Sequence, residues 1–200
     1  MSGVDASISI ALGIGLAAAV GFRVFLPLLV AAIAAYTGHL HLDGNFAWLG
    51  TLTAITMLGV AAVVEVAAYY IPAVDNLLDT VTTPLALVAG TVVSAAVITD
   101  MPPLIKWSTA IIAGGGVAAV TQGVTTLVRA KSTAFTAGLG NPVVSTVEML
   151  AALLVSFIAL IAPLAALALV VAICWLTVRT VRKFLRADRA AKHVLRQKAD

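Results

Sequence analysis

Charge is scarce in this chain. Asp, Glu, Lys and Arg together make 10% of its 200 residues and 62% are hydrophobic, whereas an average soluble domain is about a quarter charged and about half apolar. With a mean hydropathy of +1.10, a soluble globular fold is excluded. Cysteine is nearly absent: Cys174 stands alone in an apolar run, which excludes a disulfide framework and any Cys-based metal site. No Gly-x-Ser-x-Gly elbow, His-Glu-x-x-His pair or lysine-bearing phosphate loop occurs, so no catalytic signature suggests an enzyme. The first residues carry no basic stretch, and the first apolar run therefore reads as retained structure.

What charge there is divides unevenly. Before residue 179 only Arg23, Lys106, Arg129 and Lys131 are basic, against Asp5, Asp43, Glu65, Asp75, Asp79, Asp100 and Glu148. Residues 179–200 hold eight basic groups and two acids, so the sequence divides into a helical domain over 1–178 and a basic tail. That tail follows an apolar run, where anionic lipid headgroups are a nearer partner than nucleic acid.

Taking roughly 20 apolar residues as one bilayer crossing, hydrophobic segments fall at about 8–37, 47–71, 81–99, 106–128, 142–160 and 163–184. Strict two-residue alternation is missing, and lipid leaves no partner for open backbone groups, which favours helices over a barrel. The expected fold is an all-α polytopic membrane bundle of about six segments. The first segment is too long for one straight crossing, and Gly21-Phe22-Arg23 followed by Pro27 supplies a break. Both a kinked span and a re-entrant hairpin satisfy this, the hairpin being preferred. Counting Lys and Arg in the connections puts the tail and a turn at 129–141 on the cytoplasmic side, and 38–46 outside. Gly59 to Val63 recurs as Gly116 to Val120. This recurrence suggests an internal repeat (about 50–98 and 107–160) in which Glu65 aligns with Gln122 and Pro84 with Pro142.

Ionisable groups inside apolar segments are functional candidates by default. Glu65 lies seven residues before Pro72 and Glu148 six after Pro142, which places the two carboxyls at nearly the same depth. Residues 71–79 read as a short interfacial helix with Asp75 and Asp79 on one face, where Glu65, Asp75 and Asp79 form a candidate cation or metal set, the alternative being a solvated acidic face. Arg23, Arg129 and Lys131 are candidates for an anion site, the guanidiniums suiting phosphate, with a buried salt bridge from Arg23 to Glu65 or Glu148, and positive-inside anchoring for Arg129 and Lys131, as the ordinary explanations. His39, His41 and Asp43 share a loop and form a weaker metal candidate. Gly114, Gly115 and Gly116 read as close-packing positions, and Trp48, Trp107, Trp175, Tyr36, Tyr69 and Tyr70 as interfacial belt residues.

Several of these motifs occur in order: Gly21-Phe22-Arg23-Val24-Phe25-Leu26-Pro27-Leu28, Glu65 leading into Ile71-Pro72 with Asp75 and Asp79, Pro84 with Gly90, and Ser145 with Glu148. Over roughly residues 10–170 the chain resembles the bacterial membrane proteins of the domain-of-unknown-function 4126 family. In that family's pattern a histidine stands where this chain has Gln122, and a second acid where it has Met149. The resemblance implies a fold and no activity.

The residues themselves point to a small membrane transporter or channel with a polar site formed by Arg23, Glu65, Gln122 and Glu148, Asp75 and Asp79 at its cytoplasmic mouth, and proton or cation coupling through Glu65 and Glu148. Its expected location is the bacterial inner membrane with a cytoplasmic C-terminus. Membrane lipids, a small ion or other small substrate and a second copy of the chain are the expected partners; a bound cation is admitted and no cofactor is expected. A translocase for a lipid with an anionic headgroup and a non-transporting scaffold or assembly factor are the alternatives.

Overall fold

The computed structural model describes residues 3–71, 74–99, 101–176 and Arg179. Pro72 and the basic tail beyond Arg179 lie outside the described residues, as does the side chain of Asp75. Helices account for the ordered elements: α1 (Gly3–Val20), α2 (Phe25–Tyr36), a 3-10 helix (Gly44–Gly50), α3 (Leu52–Ala68), α4 (Val74–Val97), α5 (Pro103–Thr109), a π-helical stretch (Ala110–Gly115), α6 (Gly116–Thr136) and α7 (Asn141–Ile161). A further apolar helix, α8, runs over Pro163–Leu176.

Among the described residues three helices are long and apolar enough to cross a membrane: Leu77–Val97, Pro103–Thr136 and Asn141–Ile161. The 3-10 helix and α3, bent by 64°, make a fourth if the pair counts as one span. The expected segment at 47–71 is therefore not straight; Thr51 turns the chain by capping α3, its hydroxyl accepting from the Ala54 amide at 3.3 Å. α1, α2 and the described part of α8 are shorter apolar helices.

α1 lies at the centre. From Leu16 to Val20 its residues are 4% exposed or less, packed among α4, α6 and α7. A helix surrounded on every side needs no polar face, which explains why α1 is apolar all round. Close approach is made by small residues. A Cβ on Gly21 would sit 2.6 Å from the Ala118 carbonyl oxygen, and one on Gly90 would sit 3.1 Å from that of Gly114. Bulk at either position would force α6 away from its neighbours.

The first hydrophobic segment is broken where the sequence indicates, over residues 21–24. Pro27 is not itself the break. It occupies the first turn of α2, where its missing amide costs nothing.

Three expectations need correction. No separate interfacial helix spans 71–79: Val74–Val97 is one helix, with Pro84 inside it, because Asp79 finds a buried partner and does not need water. Arg129 and Lys131 do not lie in a turn either. α6 continues to Thr136 and ends where Ala137 (φ 52°) and Gly138 (φ 89°) adopt left-handed geometry. Finally, Pro84 sits well inside α4 whereas Pro142 stands in the first turn of α7, so the two prolines do not begin equivalent helices.

At one end of the bundle, near the start of α3 and the end of α4, the Asp43 amide donates to the Ala96 carbonyl at 2.8 Å. There the Asp43 carboxylate meets Lys106 Nζ at 2.7 Å. The Lys106 ammonium also lies 5.2 Å from the centre of the Phe46 ring, and Phe46 packs on Trp107. The hydrogen bond from Lys106 is the main reason the Asp43 carboxyl titrates below its ordinary range.

Candidate functional site

The other end of the bundle gathers most of the buried charge. Glu65 lies in the last turn of α3, Asp79 in the second turn of α4, Arg129 two turns before the end of α6 and Glu148 two turns into α7. Arg23 reaches them from the break between α1 and α2. Each of these five residues is 8% exposed or less.

Glu65 accounts for the break. Its Oε1 accepts from the Val24 amide at 2.8 Å and its Oε2 from the Phe25 amide at 3.1 Å. Those are the amides that a helix leaves unpaired at its start, and their positive end suits an anion. A carboxylate from α3 thus completes the hydrogen bonding of interrupted backbone in a region with little water to do so.

Arg129 is saturated by carboxylates. Its Nε donates to Glu148 Oε1 at 3.1 Å, its Nη2 donates to Glu148 Oε2 in the parallel bond of a fork, and its Nη1 donates to Asp79 Oδ1 at 3.2 Å. Arg23 approaches the same Glu148 Oε2 at 3.4 Å and donates through Nη2 to the carbonyl oxygen of Ser145 at 3.0 Å and to its hydroxyl. Of the two ion pairs expected for Arg23, the one with Glu148 forms. Its Nε and Nη1 are buried and have no hydrogen-bond partner.

Between the two arginines stands Tyr69. The Arg23 guanidinium carbon lies 3.9 Å from the centre of its ring and that of Arg129 lies 3.8 Å from it. One ring therefore separates two positive groups and attracts both. The Tyr69 hydroxyl donates to Asp79 Oδ1 at 3.3 Å and lies 3.1 Å from the Thr82 hydroxyl, which accepts from Gln122 Nε2 at 3.0 Å. Tyr69 is 3% exposed and is no belt residue, unlike Trp48, Trp107, Trp175, Tyr36 and Tyr70, which are exposed.

Of the residues expected at a site, Arg23, Glu65, Asp79, Gln122, Arg129 and Glu148 come together in one network. Glu65 and Asp79 turn to different partners, the α2 amides and Arg129. Among the described residues no group of three His, Cys, Asp or Glu side chains is placed to hold a metal. The side chain of Asp75, the third member of the Glu65, Asp75 and Asp79 set, lies outside the described residues. In the loop set His39 Nδ1 contacts the Thr37 hydroxyl and Asp43 pairs with Lys106. Tyr69, Thr82 and Ser145 were not anticipated. Tyr69 carries a readable signal, lying four residues after Glu65 on the same helix face, and Ser145 lies three before Glu148.

The electrostatics follow from the inventory. Among the described residues two guanidiniums, Arg23 and Arg129, converge with the carboxyl groups of Glu65, Asp79 and Glu148. Glu148 is shared by both guanidiniums, whereas Glu65 is met by two backbone amides.

Fold and site together define a polytopic membrane helix bundle with a buried network of charged and polar side chains. The chain belongs to the family described as domain of unknown function (DUF4126), whose family model matches residues 10–183. No curated protein and no solved structure matches it.

Proposed function

We propose that this protein is a small membrane transporter or channel in which Glu65 and the Asp79–Arg129–Glu148 cluster couple movement of a substrate to a proton or cation. The observation that carries this reading is the convergence of five buried ionisable side chains, Arg23, Glu65, Asp79, Arg129 and Glu148, beside interrupted backbone inside an apolar bundle, where ionisable groups are costly and mark ion or proton pathways. The interrupted α1–α2 pair supports the same reading, since broken helices place backbone donors inside a bundle where a carboxylate meets them. α1 and α2 as the arms of a re-entrant hairpin, an internal repeat of two helix pairs, a bacterial inner-membrane location and a cytoplasmic tail belong to this proposal. The tail follows α8, which runs from the end of α7 back toward the charged end of the bundle.

Translocation of a lipid with an anionic headgroup is the second reading, favoured by the two unpartnered donors of Arg23. It is the weaker one, because the three nitrogens of Arg129 already face carboxylates.

The test is flux in proteoliposomes holding a pH-sensitive dye, across a panel of cations and anions. Wild type is expected to dissipate an imposed gradient, and Glu65→Gln and Glu148→Gln to reduce the rate about tenfold or more, as loss of an essential proton-transferring group does. Equal rates for wild type and Glu65→Gln would refute the coupling. A lipid that co-purifies stoichiometrically with wild type and is lost from Arg23→Ala would move the assignment to the second reading. Absence of flux together with loss of function on truncation of the tail would favour a scaffold.

A further inference from the structure

Helix α8 is pressed against the bundle along one side and leaves a gap along another. Ala166 is fully buried, and a Cβ on Gly15 of α1 would sit 2.9 Å from the Ala166 Cβ. A turn later Val170 packs with Ala18, Ala19 and Val155. On the side facing α6 a cleft of about 500 Å³ opens, walled by Ile14, Val117, Leu167, Val171, Cys174 and Trp175. Its lining is almost wholly apolar and, among the described residues, holds no acid. An empty gap of this kind forfeits van der Waals contacts on both walls, and in a membrane the filler at hand is an acyl chain. From Leu167 to Trp175 the wall runs about 12 Å at 1.5 Å per residue, close to half of a roughly 30 Å hydrocarbon core. One end of the cleft is basic. The exposed Arg179 holds its guanidinium 5.1 Å from the centre of the Trp175 ring, and it is the first of eight basic groups over residues 179–200, against two acids.

We infer that the cleft between α1, α6 and α8 binds a phospholipid with an anionic headgroup, one acyl chain lying along Leu167, Val171 and Cys174 and the phosphate meeting Arg179. The tail of the lipid supplies fit and little selectivity, because lipid chains are as apolar as the leucines they replace as neighbours. The headgroup supplies the selectivity. Each basic side chain near a membrane surface favours anionic lipid by about fivefold, and a zwitterionic lipid fills the same cleft without that gain. Trp175 suits the boundary between the two parts, its ring closing the apolar wall and its face meeting the guanidinium. The site is separate from the cluster around Arg129 and rests on neither functional reading.

Trp175 serves as the reporter. Full-length protein carrying Trp48→Phe and Trp107→Phe is reconstituted in phosphatidylcholine vesicles. Its indole fluorescence is then titrated with chain-brominated phosphatidylglycerol or chain-brominated phosphatidylcholine, bromine quenching on contact. Quenching by the anionic lipid is expected at a mole fraction lower by about fivefold or more, and Arg179→Gln should remove about fivefold of that preference. Val117→Phe, which fills the cleft from α6, should abolish the preference and leave the ordinary quenching by surrounding phosphatidylcholine. Equal quenching by the two lipids would overturn the inference. So would a preference undiminished in Val117→Phe, which would assign it to attraction by the basic tail alone, and a disulfide joining two chains through Cys174 on mild oxidation, which would assign the cleft to a second copy. Arg23→Ala should keep the preference; its loss there would move the lipid to the buried network and to the translocation reading.

Discussion

Removing Arg129 should be the most damaging single change in this protein. Its guanidinium satisfies both oxygens of Glu148, bonds Asp79 at 3.2 Å and covers one face of Tyr69. Arg129→Met keeps length and apolar bulk, so the change isolates the charge and its hydrogen bonds. It leaves Glu148 and Asp79 without their bonds to Arg129, and breaking a buried pair by removing one partner costs roughly 3–5 kcal/mol. Adding Glu148→Gln removes the carboxylate that lost the forked bonds. The double variant should therefore be more stable than Arg129→Met alone, with a coupling of roughly 1–3 kcal/mol, within the range for residues in one network. Unfolding by increasing mole fraction of dodecyl sulfate in mixed micelles, followed by far-ultraviolet circular dichroism, gives all four corners of the cycle. A cost below about 1 kcal/mol for Arg129→Met would place the pair in the class of weak surface bridges and refute the reasoning. Additive single effects would refute it equally.

Other perturbations separate the remaining contributions. Tyr69→Leu removes two stacked guanidinium contacts and should cost roughly 2–4 kcal/mol at up to about 2 each when desolvated, while Tyr69→Phe keeps the ring and should cost about 1 kcal/mol for the lost hydroxyl bonds to Asp79 and Thr82; the same micelle titration distinguishes them. Gly21→Val places bulk against the Ala118 carbonyl and should destabilise by roughly 1–3 kcal/mol, read as a lower melting temperature in detergent. At the opposite end, the Asp43 carboxyl is depressed by the hydrogen bond from Lys106, so its contribution is present above the ordinary aspartate value near about 4 and is lost as the pH falls through the lower folded value. Wild type should thus lose stability over that acid window to a degree that Asp43→Asn does not, and identical acid profiles for the two would sink the assignment.

Much of the site was legible from residue type and depth. A carboxylate or guanidinium inside an apolar run is expensive enough to draw attention wherever it occurs, which is why Arg23, Glu65, Gln122 and Glu148 stood out before any contact was known. Asp79 and Arg129 were candidates that kept an exposed alternative, a solvated acidic face and a positive-inside anchor, because near a helix end a charged side chain has two outlets and linear spacing does not choose between them. Tyr69 was misassigned for the same reason, as a tyrosine at a helix terminus suits an interface equally well.

The sequence by itself determined the solvent and the class of fold. Apolar composition demands lipid, lipid demands internally bonded backbone, and that demand is met by helices; the Gly21–Pro27 motif further located the interruption. Tertiary structure alone decided the pairing. Arg23 took Glu148 in preference to Glu65, Glu65 took the bare amides of α2, and Tyr69 entered between two guanidiniums, because those choices depend on which helix ends converge. Five scattered charges became one network only when four helices and the break between α1 and α2 delivered them to one place.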